Sequence, residues 1–290
     1  MVRFKNLFIR SKRLLLKGSV FTGIIAFLFM QEAAASILVS PTVVFVSDKS
    51  PTGRITLLNR GDTPQEVSVY FSFGLPVSDS LGNISVTFQD SAVTDKRSCL
   101  DWVRAFPRRV IIDPGESQIV RLMVRAPKDL PDGEYWARIM VRSQAANVQI
   151  PVSGEQDGIR THLNMITELA IMFKYRTGDL VSSLELRDAY ATVKDTQVEV
   201  MLDMVNRGNV SYMGMLECRL LDSDMKEISS NLRKLAVYRE MKRRIDLEYI
   251  KEGFKLPYHV EIRIDSEGRN DITPEDMIIG NKITRTVAVK

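Results

Sequence analysis

The chain has 290 residues, of which 44% are hydrophobic and 26% are charged. This composition is ordinary for a globular protein, argues against a disordered chain and gives room for about two domains. The formal net charge is +4, but six lysines and arginines and no acidic residue lie in the first seventeen positions. The basic balance therefore indicates a targeting segment and gives no reason to expect nucleic-acid binding.

The N-terminal residues follow the order of a signal peptide. A basic segment precedes the apolar run Val20–Met30, and Ala33-Ala34-Ala35 provides a small-residue cleavage site. The apolar run is shorter than the ~20 residues that a bilayer-spanning helix needs. We therefore predict a cleavable signal peptide at residues 1–35 and no stable membrane insertion after cleavage.

The segment that follows consists of short runs rich in Val, Ile, Thr, Tyr and Phe, separated by turn residues. In Glu66–Phe73, for example, apolar residues alternate with Ser and Tyr. The predicted strands of this half are Ile37–Val46, Arg54–Asn59, Glu66–Phe73, Val110–Ile112, Ser117–Val124 and Glu134–Arg142. Many short strands with turns between them favour a β-sandwich over a parallel α/β sheet.

The second half repeats this order. Gln197–Val205 ends in Asn206-Arg207-Gly208, as an earlier strand ends in Asn59-Arg60-Gly61. Leu-Pro turns at Leu130 and Leu256 each precede a tyrosine that suits the tyrosine corner of immunoglobulin-like sandwiches. Leu221–Lys251 has charge spacings that suit a helix, but the alternation at its end predicts a strand.

We therefore predict an all-β protein of two tandem immunoglobulin-like β-sandwich domains. The first domain is placed at residues 36–158 and the second at residues 159–290. The join is expected in Ser143–Arg160, where Ala, Asn, Gln, Ser and Gly dominate.

Motifs that would indicate catalysis are missing. The chain contains no H-E-x-x-H, C-x-x-C, G-x-x-x-x-G-K-[ST] or G-x-S-x-G pattern. An S-x-x-K match at Ser223–Lys226 lacks the companion motifs of penicillin-binding enzymes. The two cysteines, Cys99 and Cys218, fall in different halves and are expected to be free thiols. We expect no enzyme activity, no cofactor and no metal site.

A resemblance to a known family lies in the first half. Ala105–Val124 reads AFPRRVIIDPGESQIVRLMV, with ITLLNRG before it and LPDGEYWARIMV after it. This succession resembles the N-terminal domain of periplasmic pilus-assembly chaperones (PapD-like) and covers about residues 37 to 176. The second half resembles that family only in its order of strands. The resemblance implies an L-shaped pair of immunoglobulin-like domains in the periplasm that lends an edge strand to exported pilus subunits.

The resemblance places the donor strand, the edge strand that is offered to the pilus subunit, at Thr161–Phe173. Alternate residues along it share one face, which is apolar except for one threonine. The predicted client-binding residues are Leu163, Met165, Thr167, Leu169 and Ile171. An equally open reading is an ordinary sandwich strand whose apolar face packs into its own core.

Other positions implied by the resemblance are charged. The family holds the client's C-terminal carboxylate with an Arg and a Lys. Val43 or a neighbour stands at the first of these positions here, and Ile171 or Met172 at the second. Either the client is bound differently or the partner lies outside pilus assembly. Glu134, Arg176 and Asp265 fall where the family has an ionic network between its domains.

The sequence thus favours a chaperone-like protein whose partners are exported pilus or surface-structure subunits, with a role in assembling the cell surface. The alternative is a secreted immunoglobulin-like component of a surface appendage. The alternating C-terminal residues 283–289 either close the second sandwich, which we favour, or pass to a neighbouring subunit.

Overall fold

The computed structural model describes residues 36–89, 93–146, 165–249 and 253–290, and its regular structure consists of strands and two single 3₁₀ turns. The predicted signal peptide, the predicted join and Leu163 lie outside the described residues, apart from Ser143–Ala146 of the join. No helix in the described part of the chain is long and apolar enough to span a membrane. Residues 37–290 form one compact unit.

Among the described residues up to Thr177 there are eleven strands, of which nine form the first sandwich. The eleven strands are β1 (Ile37–Ser40), β2 (Val43–Ser47), β3 (Thr52–Asn59), β4 (Gln65–Ser72), β5 (Pro76–Ser78), β6 (Ile84–Val86), β7 (Val103–Phe106), β8 (Arg109–Ile112), β9 (Ser117–Val124), β10 (Gly133–Ala145) and β11 (Ile166–Thr177). One sheet has the order β1-β3-β9-β7 and the facing sheet β2-β11-β10-β4-β8, while β5 and β6 form a separate hairpin. A 3₁₀ turn at Leu100–Trp102 precedes β7.

The described residues from Leu184 onward form a second sandwich of seven strands. Its strands are β12 (Leu184–Lys194), β13 (Gln197–Asn206), β14 (Tyr212–Leu221), β15 (Glu227–Val237), β16 (Glu240–Glu248), β17 (His259–Asp265) and β18 (Ile283–Ala288). The sheet β12-β13-β16 faces the sheet β15-β14-β17-β18. A 3₁₀ turn at Pro274–Asp276 precedes β18. The prediction of an all-β protein with two sandwiches is confirmed.

Each sandwich buries its own apolar core, because alternate residues of its strands point between the two sheets. Ile55, Leu57, Val120 and Ile139 are buried in the first core. Val200, Leu202 and Leu216 are buried in the second. Cys99 and Cys218 are free and buried in different cores, and burial raises the pKa of both thiols, that of Cys218 to about 12.

The repeated Asn-Arg-Gly turns have the same hydrogen bonds in both sandwiches. Asn59 donates from its side-chain amide to the carbonyls of Thr63 and Ile112, both at 2.9 Å. Asn206 donates to Val210 at 2.7 Å and Tyr238 at 3.0 Å. In each turn the asparagine carbonyl accepts from the glycine two residues on, at 2.9 Å. The asparagine amide thus replaces backbone pairing at a turn where the strand ends.

In the part of the chain that the structure describes, one of the two Leu-Pro turns has a hydrogen-bonded tyrosine corner. The Tyr135 hydroxyl donates to the carbonyl of Pro131 at 2.8 Å. The matching Tyr258 is buried, and its ring packs edge-on against Tyr249 with centroids 5.6 Å apart. The second tyrosine therefore contributes to packing.

The structure moves three predicted boundaries. Ile37–Val46, predicted as one strand, is divided into β1 and β2, which lie in opposite sheets. The ambiguous Leu221–Lys251 contains two long strands, β15 and β16, also in opposite sheets. Since β11 belongs to the first sandwich, the change of sandwich falls between Thr177 and Leu184, later than the predicted boundary at 158/159.

The C-terminal strand closes the second sandwich. β18 pairs antiparallel with β17 over six residues, from His259 opposite Ala288 to Ile264 opposite Ile283. Val289 continues the contact by donating its backbone N–H to Tyr258 at 3.0 Å. The strand is thus occupied within its own chain, as we favoured from the sequence.

Candidate functional site

The candidate site is built on β11, which is bound unequally along its two edges. One edge pairs antiparallel with β10 over all twelve residues, from Ile166 to Thr177. The other edge pairs with β2, in parallel, only from Met172 to Arg176. Residues Ile166 to Ile171 therefore have no strand partner on that side among the described residues.

The direction of the free backbone groups follows from one hydrogen bond. Met172 donates its N–H to Thr42 on the β2 side at 3.3 Å. Because the N–H and C=O of successive residues point to opposite edges of a strand, Ile166, Glu168 and Ala170 direct theirs to the same side. We call these three backbone positions the open edge. Unpaired edge groups of this kind are the usual template for adding another strand.

The side chains on the core-facing side of β11 change from exposed to buried along the strand. Met165, just before β11, is 60% exposed, and Thr167 and Leu169 are half-buried. Ile171 and Phe173 are buried in the first core, against which Leu169 also packs. The structure thus brings four of the five predicted client-binding residues onto one face, and the inner part of that face packs against the protein's own core.

At its other end, β11 carries a buried cluster of charges. The Glu134 carboxylate accepts from Lys174 Nζ at 2.8 Å and from Arg176 Nε at 2.9 Å. Its Oε1 also accepts from the Ser211 hydroxyl at 2.6 Å and from the Trp136 indole at 2.7 Å. We call Glu134, Lys174, Arg176 and Ser211 the buried ionic cluster. Glu134 and Lys174 have fully buried side chains.

The cluster ties the two sandwiches together. Glu134 lies on β10 and Lys174 and Arg176 on β11, whereas Ser211 precedes β14 of the second sandwich. Lys174 also donates to the Ser211 hydroxyl. Arg176 donates to the backbone carbonyl of Asp276, again in the second sandwich. The C-terminal end of β11 is thereby fixed to both sandwiches.

Burial and the neighbouring cations act in opposite directions on Glu134. Burial alone would raise the pKa of this carboxyl, but the positive charges of Lys174 and Arg176 outweigh it. Together with the hydrogen bonds they lower its pKa from 4.5 to about 2. Glu134 is therefore a carboxylate at any pH near neutrality.

This shift predicts a loss of stability in acid. A carboxyl whose pKa is lowered by folding stabilises the protein above its unfolded pKa, and this contribution is lost as the pH falls towards its folded pKa. The difference in free energy of unfolding between the protein and its Glu134→Gln variant should shrink as the pH falls from about 5 to about 2. Urea unfolding at several pH values measures it, and a difference that stays constant over this range would contradict the assignment.

Asp265, which the sequence grouped with Glu134 and Arg176, has other partners. Its carboxylate pairs with Lys282 at 3.0 Å and accepts the backbone N–H of Glu267 at 2.8 Å. The interdomain trio predicted from the sequence therefore has to be corrected. Glu134 and Arg176 do meet, but Lys174 and Ser211 occupy the places around Glu134. Asp265 lies at the end of β17, where the nearby Lys282 is its counterion.

Sequence reasoning did not find Lys174. It is a single cation between Phe173 and Tyr175, both of which are buried. The usable signal was its position between two large aromatic residues, because a lysine buried in an apolar run needs a partner.

Two of the positions that the sequence resemblance aligns with a carboxylate-binding pair, Val43 and Met172, are neighbours in this fold. Val43 lies directly opposite Met172 in the parallel β2–β11 pair. Arg138 on β10 lies opposite Met172 on its other side. Arg138 donates from Nε to the carbonyl of Gly74 at 2.9 Å, and its guanidinium lies 5.9 Å from the ring centroid of Tyr238. The row across β2, β11 and β10 thus has two apolar residues and one arginine.

Comparisons with known proteins give matches to solved structures. The YadV chaperone is 15% identical, with 88% of this chain and 100% of that chain covered and a TM-score of 0.44. A chaperone–tip adhesion subunit complex from Csu pili of Acinetobacter baumannii is 12% identical, with 88% of this chain and 100% of that chain covered and a TM-score of 0.41. The periplasmic chaperone SfaE is 9% identical, with 86% of this chain and 98% of that chain covered and a TM-score of 0.42.

No protein-family model matches the chain, and no curated protein sequence matches it.

Proposed function

We propose that the protein is a periplasmic chaperone-like protein that binds exported pilus or surface-structure subunits by adding β11 to a client as an edge strand. The observation that carries the proposal is the open edge, since half of β11 is hydrogen-bonded on one side only. Its backbone groups can pair with a client strand, and alternate side chains can enter client pockets. The sequence resemblance to pilus-assembly chaperones and the signal-peptide pattern support the same role and the periplasmic location.

β11 is held firmly at its C-terminal half and is less buried at its N-terminal end, which favours binding of a client strand. From Ile171 to Arg176 the strand is fixed by its own core and by the buried ionic cluster. A strand held at one end is ordered before it meets a client, so binding costs less conformational entropy. Met165, Thr167 and Leu169 lie towards the less buried end and are the side chains we assign to client contact.

The alternative, a subunit of a surface appendage, would require a strand passed to a neighbour. Its candidate was the C-terminal strand, and β18 is paired within its own sheet. We therefore propose the chaperone-like role alone.

Co-purification from the periplasm tests the proposal. We expect an exported subunit in a 1:1 complex with this protein, and we expect that subunit to be degraded when this protein is absent. Self-association of the protein into polymers, with no second protein bound, would contradict the proposal and support an appendage subunit.

A further inference from the structure

A groove of about 750 Å³ lies on the second sandwich between β15 and β16. These two strands belong to opposite sheets, and each pairs with only one neighbour in its own sheet. Two side chains bridge them, since Ser229 donates to the carbonyl of Glu248 at 2.8 Å and Asn231 to that of Asp246 at 3.0 Å. Continuing this antiparallel spacing brings Arg233 level with Arg244, next to Arg243.

Two of the arginines that line the groove occupy core-facing positions. Arg233 is in phase with Leu235 and Val237, which are buried, and Arg243 is in phase with the buried Met241 and Ile245. Since alternate residues of a strand share a face, both guanidinium groups extend from the inner faces of the two sheets. Both line the groove at the open side of the sandwich, where Arg243 is half-buried and Arg233 is exposed.

These two arginines lack a counterion in the part of the chain that the structure describes. Neither forms an ion pair or hydrogen bond there, whereas Arg244 on the opposite face of β16 pairs with Asp246 at 3.3 Å. The other carboxylate lining the groove, Glu248, is exposed. Burial and the nearby charge of Arg233 both lower the pKa of Arg243. The two positive charges repel each other, and an anion placed between them would offset that repulsion.

We propose that this groove binds a tetrahedral oxyanion, a phosphate or sulfate group, between Arg233 and Arg243. A guanidinium presents a planar fork of donors that matches such oxygens. A tetrahedral group can accept from two forks on opposite walls at once, which the two oxygens of one carboxylate do less well. The site is separate from the open edge, so this proposal stands independently of the proposed function.

Calorimetric titration of the exported chain with inorganic phosphate and with sulfate tests the proposal. We expect one site per chain, and about tenfold weaker binding in Arg233→Gln and in Arg243→Gln. Arg54→Gln is the matched control, because Arg54 is exposed on a strand of the first sandwich and has no ion pair among the described residues. Binding that is absent for every anion, or equal in the parent and both groove variants, would overturn the proposal.

Two further measurements keep the test decisive. Arg243→Lys retains the charge and loses the planar fork, so it should bind with intermediate affinity even if Arg243→Gln does not fold. Flotation with phosphatidylcholine vesicles, with and without phosphatidylglycerol, distinguishes a lipid phosphate from a free one. Vesicle binding that needs both phosphatidylglycerol and the two arginines would assign the phosphate to a lipid, and binding that ignores the arginines would contradict the site.

Discussion

The Glu134→Gln variant is expected to lose about 3–5 kcal/mol of unfolding free energy at neutral pH, because the substitution leaves two cations without their counterion. Lys174 and Glu134 have no exposed side-chain surface, and the Arg176 side chain is 9% exposed. The glutamine keeps the size of the side chain and removes its charge. The unfolding free energy from urea denaturation measures the loss.

The same substitution at an exposed ion pair serves as the control. Glu185 pairs with Arg207 at 2.6 Å, and the two side chains are 47% and 58% exposed. Exposed pairs contribute about 1 kcal/mol or less, so Glu185→Gln should change stability little. Adding Lys174→Met to Glu134→Gln should restore part of the loss, since it removes one of the orphaned cations. Equal effects at the buried and the exposed pair would refute the role of the cluster.

The second large effect is expected from a proline on the open edge. Ala170→Pro removes an N–H that points away from β10, so the β10–β11 pairing is retained. An incoming client strand loses that hydrogen bond and meets the proline ring instead. We expect Ala170→Pro to abolish recovery of the client in co-purification while the protein remains folded by circular dichroism.

Ala170→Val is the matched control, because it adds bulk at the same exposed position and keeps the N–H. It should bind the client as the parent does. Proline at Leu169 would instead remove a donor directed at β10 and should destabilise the first sandwich. If Ala170→Pro binds its client normally, β11 is not the strand that pairs with it.

The sequence was sufficient for the parts of the fold that local patterns determine. Period-two alternation predicted the strands, and the two Asn-Arg-Gly segments predicted turns that have the same hydrogen bonds at Asn59 and Asn206. Such features depend on residues within a few positions of one another, or on one side chain that replaces backbone pairing.

Features that depend on pairing between residues far apart in the chain could not be predicted from the sequence. Alternation predicted which residues of β11 share a face, but the open edge exists because β2 is short, and no residue of β11 encodes the length of β2. The split of Ile37–Val46 between two sheets is of the same kind. Lys174 was missed because its partners, Glu134 and Ser211, are 40 and 37 residues away along the chain. Asp265 was misplaced because Lys282, a nearer counterion, takes its charge.

Amide hydrogen exchange on the isolated complex shows whether a client strand pairs with the open edge. We expect the amides of Glu168 and Ala170 to exchange freely in the protein alone and to become protected on client binding. The amides of Leu169 and Ile171, which point towards β10, should be protected in both states. Exchange at Glu168 and Ala170 that stays fast in a stoichiometric complex would contradict strand addition at β11.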